Sequence, residues 1–173
     1  MYQLHWGVLV GKDGKRRAKK EKRGKKNVEK LTAGAADKKL KTLQNFGGIF
    51  RLSQLKNLKI LSYPVGIMLQ GYDHWLAIVI TKNVIEIMDS SGVLNSADLP
   101  KSIRKFICAQ MFRKSLIVTP KLQSLSSTMC GYFSILFLIL RLRCNLSLVK
   151  FCSLFSANLR ENEKVVSHLL KSV

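Results

Sequence analysis

At 173 residues the chain has room for one compact domain with a hydrophobic core and lacks the length for two ordinary ones. Hydrophobic residues make up 47% of it, which excludes a wholly disordered protein, while 30 Lys and Arg against 10 Asp and Glu leave a formal charge of +20. That excess cannot be neutralised within the molecule, so it creates a positive field that draws polyanions, and DNA is an expected partner.

The chain begins with a short apolar stretch, Trp6 to Val10, that is followed rather than preceded by positive charge; a secretory leader has the opposite order. From Lys12 to Lys41 there are 14 Lys or Arg and 4 acidic residues, so 14 minus 4 gives a local excess of +10, half of the total. Few apolar side chains interrupt this run. Residues 1–30 therefore read as a basic, mobile extension and 31–173 as the folded domain. Within the extension Lys15, Arg16, Arg17, Lys19, Lys20, Lys22, Arg23, Lys25 and Lys26 are candidate nucleic-acid contacts, and the same composition also suits a solubilising or nuclear-targeting tail.

Residues 31–44 space Ala, Leu and Lys as a short amphipathic helix does, and Asn45-Phe46-Gly47-Gly48 supplies a stop. Leu58 to Tyr63 is rich in β-favouring residues and ends at Pro64, so a strand is expected there. Three further strands are predicted over Gly66 to Gln70, Trp75 to Thr81 and Val84 to Met88, the last two as a hairpin across Lys82-Asn83. Leu99 to Lys114 repeats Ile103, Phe106, Ile107 and Met111 at one-face helical spacing, with Pro100 in the first turn. Leu116 to Thr119 reads as a buried strand and Gly131 to Leu142 as a core helix. The apolar run Tyr132 to Leu140 is about half of the roughly 20 residues a membrane span requires. The stretch from Leu146 to Leu170 is helical with a break around Ser153 to Asn158.

Cys108, Cys130, Cys144 and Cys152 lack metal-binding spacing, and His5, His74 and His168 lie far apart, so neither a zinc site nor any other cofactor is expected. Free thiols in a reducing compartment are the default, with no secretion and no membrane span. A monomer is expected.

The chemistry collects around one thiol. Cys130-Gly131 follows the polar loop Ser124 to Thr128 and opens the apolar helix, where unpaired backbone N–H groups and the helix dipole favour a thiolate. Gln123, seven residues earlier, is a candidate oxyanion donor together with the Cys130 N–H. His74 opens one strand and Asp89 closes the next, so a hairpin brings a base and its orienting carboxylate to one end of a sheet. Each residue alone has a bland reading: a small core thiol, a solvated loop amide, a strand-end imidazole, and ordinary Asp-Ser-Ser-Gly turn chemistry. Together they form the base, orienter, oxyanion donor and nucleophile of a cysteine peptidase.

It is this set, Asp-His74-Trp, Met-Asp89-Ser-Ser-Gly and Gln123 seven before Cys130-Gly-Tyr-Phe, that resembles the adenovirus protease (adenain) family over roughly residues 32–143, with Phe46-Gly-Gly-Ile-Phe50 similar to the segment before the histidine. More distantly the chain is similar to the ubiquitin-like-protein-specific peptidases and to adenovirus-like proteases of large DNA transposons. The resemblance implies an α+β fold, a central mixed sheet flanked by helices with the cysteine at the N-terminus of a buried helix. It implies cleavage of viral capsid or core precursor proteins during virion maturation, often after small residues such as Gly, in the virion and the host cell nucleus. It also implies DNA as a possible activator and an activating peptide as a possible partner. Asp89 stands where adenain has Glu, as in the ubiquitin-like-specific branch, and no cysteine aligns with the one adenain uses to attach its peptide. The alternatives are a peptidase for ubiquitin-like modifiers and a non-enzymatic basic packaging protein.

Overall fold

The computed structural model describes residues 30–93, 96–111 and 113–173. The extension through residue 29, with its candidate contacts from Lys15 to Lys26, lies outside them.

The architecture is α+β: a five-stranded mixed sheet with helices on both faces. Helix α1 (Ala33–Leu40) is capped by Thr32, whose hydroxyl accepts the Ala35 N–H at 3.2 Å, and it buries Ala36 and Leu40. Strands β1 (Phe46–Arg51), β2 (Val65–Gln70), β3 (Trp75–Ile80), β4 (Val84–Met88) and β5 (Ser115–Val118) lie in sequential order across the sheet. The β2–β3 and β3–β4 pairs are antiparallel, whereas β1–β2 and β4–β5 are parallel. Parallel neighbours need crossovers. A 3-10 helix (Leu52–Asn57) provides part of the first, and α2 (Lys101–Gln110) provides most of the second.

Every residue of β3 is buried because the sheet is covered on both sides. Trp75, Ala77 and Val79 point into a core shared with α1, α3 (Cys130–Cys144), α4 (Leu148–Cys152) and α5 (Leu159–Ser172). Leu76, Ile78 and Ile80 point the other way, against Ile103, Phe106 and Ile107 of α2. In the larger core Phe133, Phe137 and Phe151 are fully buried, and Phe137 meets Phe151 edge-on at 5.3 Å. Each such ring is worth about 1.5–3 kcal/mol by burial alone.

One charge enters this core. Glu86 on β4 is 2% exposed; one carboxylate oxygen accepts Arg141 Nε at 2.6 Å and the other accepts the Leu148 N–H at 2.7 Å. It thereby ties the end of α3 and the start of α4 to the middle of the sheet.

Two expectations fail here. Phe46-Gly47-Gly48 belongs to β1 and stops nothing; the strand shifts register between Phe46 and Gly48, and a Cβ at Gly47 would lie 2.8 Å from Val65 Cγ2. Glycine therefore permits close strand approach, with Asn45 at φ 66 making the turn before it. Leu58 to Tyr63 forms no strand and Leu61 is 92% exposed, because β2 already has β1 and β3 on its two edges. The other predicted elements are present with shifted ends, and the expected C-terminal break separates α4 from α5. Among the described residues no helix is long and apolar enough to cross a membrane, and no group of three or more His, Cys, Asp or Glu is placed to hold a metal ion.

Candidate active site

The start of β3, the end of β4, the segment after β5 and the N-terminus of α3 meet at one end of the sheet. His74 immediately precedes β3 and Asp89 immediately follows β4, and the hairpin register sets them side by side: His74 Nε2 and Asp89 Oδ1 are 2.8 Å apart. With Nε2 occupied, Nδ1 is the ring nitrogen left for a second partner. The Cys130 thiol lies near enough for the ring and the backbone N–H groups of Trp75 and Gly131 to act on its titration, and it acts on that of His74 in turn. Cys130 is the first residue of α3 and is buried, so its sulfur sits at the helix start, where the Gly131 N–H acts on it.

The electrostatics favour a charged pair. Burial works against a charged imidazole, yet the hydrogen bonds to Asp89 and Cys130 outweigh it and push His74 up to about 10. Burial likewise opposes a thiolate at Cys130, but the His74 hydrogen bond and the Trp75 N–H bring its pKa below the ordinary thiol value. Asp89 is held below the usual carboxylate range despite burial, by His74 and by Ser91, whose N–H and hydroxyl donate to Oδ1 at 3.0 and 2.5 Å. Both shifts run toward the charged forms, imidazolium at His74 and thiolate at Cys130. Cys152 shows the contrast, since burial with no compensating partner pushes its thiol up to about 11. The exposed Lys30, ion-paired to Asp73 at 2.6 Å, adds a positive charge that also acts on the Cys130 sulfur.

Gln123 is buried at the same end, after β5. Its Oε1 accepts the Ser90 hydroxyl at 2.7 Å, and its N–H donates to the Ser90 carbonyl at 3.0 Å, as does that of Leu122 at 2.9 Å. The segment is buttressed from behind by Asn162 of α5, which is 1% exposed and donates to the Leu122 carbonyl at 3.0 Å. Thr119 braces Asp89: its hydroxyl accepts the Asp89 N–H at 2.8 Å and donates to the Asp89 carbonyl at 2.7 Å. Sequence reasoning missed Ser90, Thr119 and Asn162. Ser90 lay in plain view inside the Asp-Ser-Ser-Gly run, but nothing in the spacing connects it with a glutamine 33 residues away.

Gly131 explains how the helix end is packed. A Cβ there would overlap Leu31 Cδ2 and stand 3.2 Å from Trp75 Cδ1, so only glycine lets Leu31 close over the start of α3. His74 and Asp89 are thus joined directly, Cys130 stands within electrostatic reach of the imidazole, and Gln123 is joined to the same turn through Ser90. No known family's sequence model matches this chain, and no curated protein does.

Proposed function

We propose that the protein is a cysteine endopeptidase of the adenain type, which cleaves viral capsid or core precursor proteins during virion maturation in association with DNA. The observation that carries this reading is the linked His74–Asp89 pair, 2.8 Å apart, meeting the buried thiol of Cys130 at the opening of α3. A core cysteine needs no imidazole, and a surface histidine needs no buried carboxylate; the pair raises His74 and lowers Cys130, as nucleophilic catalysis requires.

In this mechanism the Cys130 thiolate attacks the scissile carbonyl and forms a carbon–sulfur bond. The carbonyl oxygen takes the electron pair and is met by the Cys130 N–H and the Gln123 side-chain amide. The tetrahedral adduct collapses, the carbon–nitrogen bond breaks, and the departing amine takes the proton from His74 Nδ1. Neutral His74 then removes a proton from water, whose oxygen attacks the thioester; the carboxylic acid leaves and the thiolate–imidazolium pair is restored. Asp89 keeps the ring in one orientation throughout and supports its positive charge.

Association with DNA draws support from the +20 charge. Among the described residues, Arg160, Lys164, which pairs with Glu161, and Lys171 line, together with Glu163, a cleft of about 670 Å³ beside the loop between Gln123 and Cys130, a second surface of net positive charge in addition to the N-terminal extension. Asp89, in place of the Glu of adenain, favours a second reading, a peptidase that releases ubiquitin-like modifiers; profiling on folded modifiers with Gly-Gly tails against capsid precursors separates the two.

The test compares wild type with Cys130→Ala on candidate capsid precursors, with and without DNA, alongside labelling by a thiol-reactive peptide probe. Cleavage and labelling at Cys130 are expected for the wild type, with both lost in Cys130→Ala and labelling lost in His74→Ala. Cleavage by Cys130→Ala would end the proposal.

A further inference from the structure

The side-chain amide of Gln123 has two faces of opposite polarity, and the reaction tolerates only one of them. Turned one way, its N–H groups are free to meet a developing oxyanion; turned about its last torsion, it offers lone pairs that repel one. That torsion is nearly two-fold, so the side chain itself does not choose between the two states. We propose that Ser90 anchors one of them: it is a positioning residue whose hydroxyl, donating to Oε1, holds the Gln123 amide with its N–H groups toward the oxyanion. This inference rests on the cysteine peptidase reading and adds a residue to it.

Several observations support it. The Ser90 hydroxyl donates to Gln123 Oε1 at 2.7 Å, which engages the acceptor end of the amide and puts the N–H groups at the opposite end. Ser90 is fully buried, so solvent does not replace the hydroxyl once it is removed. Its carbonyl accepts the N–H groups of Leu122 and Gln123, so backbone and side chain of the same residue fix both ends of the glutamine. Ser90 also directly follows Asp89. One dipeptide at the end of β4 therefore orients the base through Asp89 and the oxyanion donor through Ser90. Gly92, at φ 90, lets this turn lie flat against the segment, since a Cβ there would stand 2.8 Å from the Lys121 backbone.

Ser90→Ala removes the hydroxyl and keeps the backbone bonds. Turnover of an N-acylated Gly-Gly coumarin amide should fall about ten-fold through kcat, less than the roughly 10²–10³-fold expected for Gln123→Ala. In the double variant Ser90→Ala should cost nothing further, because the group it orients is gone. Alkylation of Cys130 by iodoacetamide, followed by peptide mass, should be unchanged in Ser90→Ala, since that reaction forms no oxyanion. A merely structural serine would slow alkylation and turnover together and would add its loss in full to that of Gln123→Ala; either result overturns the proposal, as does wild-type turnover in Ser90→Ala. If Gln123→Ala alone retains full turnover, the oxyanion role and the proposal fall while Cys130-dependent cleavage stands. Absence of Cys130-dependent turnover in the wild type removes the peptidase reading itself.

Discussion

Replacing Asp89 with Asn removes one charge from the centre of the site while keeping the side chain's shape and an oxygen able to accept the His74 Nε2–H. The bond at stake is 2.8 Å long and its carboxylate is 12% exposed, so little water is present to screen it. A hydrogen bond with a charged partner contributes roughly 1.5–3 kcal/mol, and one pKa unit corresponds to about 1.36 kcal/mol. His74 should therefore titrate about one to two pH units below its value of about 10. The ring-carbon resonance of His74, assigned with His74→Gln and followed from pH 5 to 11 by NMR, reads this directly and needs no substrate. The alkaline limit of peptide cleavage, where the leaving amine loses its proton donor, should move down with it. Stability follows the same signs. The raised His74 value stabilises the fold fully below 6.5 and fades as pH rises toward about 10; the lowered Asp89 value stabilises it above 3.8 and fades as pH falls through the folded pKa. Both contributions are complete between 3.8 and 6.5, so Asp89→Asn should lower Tm most in that window. A variant whose His74 still titrates near 10 would show that the carboxylate does not support the imidazolium, and the reasoning would be wrong.

Gly131→Ala should destabilise the domain by about 1–3 kcal/mol in urea unfolding, and Leu31→Ala should recover part of that loss because it vacates the colliding methyl group. Glu86→Ala should cost about 3–5 kcal/mol by leaving Arg141 partly buried without its carboxylate, whereas replacing Glu86 and Arg141 together by leucine should cost less on the same unfolding measurement, the remainder coming from the buried Leu148 N–H that loses its acceptor. Binding to duplex DNA should weaken steeply with salt, and deletion of residues 1–29 should flatten the log–log slope by about 0.9 for each phosphate that the shortened chain no longer neutralises. An unchanged slope would assign the DNA surface to the folded domain, including the cleft lined by Arg160, Lys164 and Lys171.

The parts of this fold that could be read from the sequence are those whose environment repeats locally. Trp75 to Ile80 and Val84 to Met88 are unbroken apolar runs because both faces of the sheet are covered, and a short Lys82-Asn83 turn announces their hairpin. Helix α3 declares itself in the same way. Strand β1 does not, since Gly47 and Gly48 are there for the fit against Val65 and Ile67, a distant relation that local propensity does not encode. The site divides similarly. The hairpin made the approach of His74 to Asp89 foreseeable, and the helix start made Cys130 foreseeable. The linkage of Ser90 to Gln123, and the support given by Thr119 and Asn162, arise from pairings across the chain that carry no spacing signature.

The closure of Leu31 over Gly131 sets a geographic limit on everything N-terminal to it. Because that leucine is pinned at the doorstep of Cys130, each earlier residue stays within about 3.5 Å per peptide unit of the sulfur's neighbourhood, whatever path the chain follows. On the proposed function, a polymer gripped by the basic extension would be leashed to the thiol, and cargo riding on it would meet Cys130 at a local concentration fixed by the length of the leash and independent of bulk dilution.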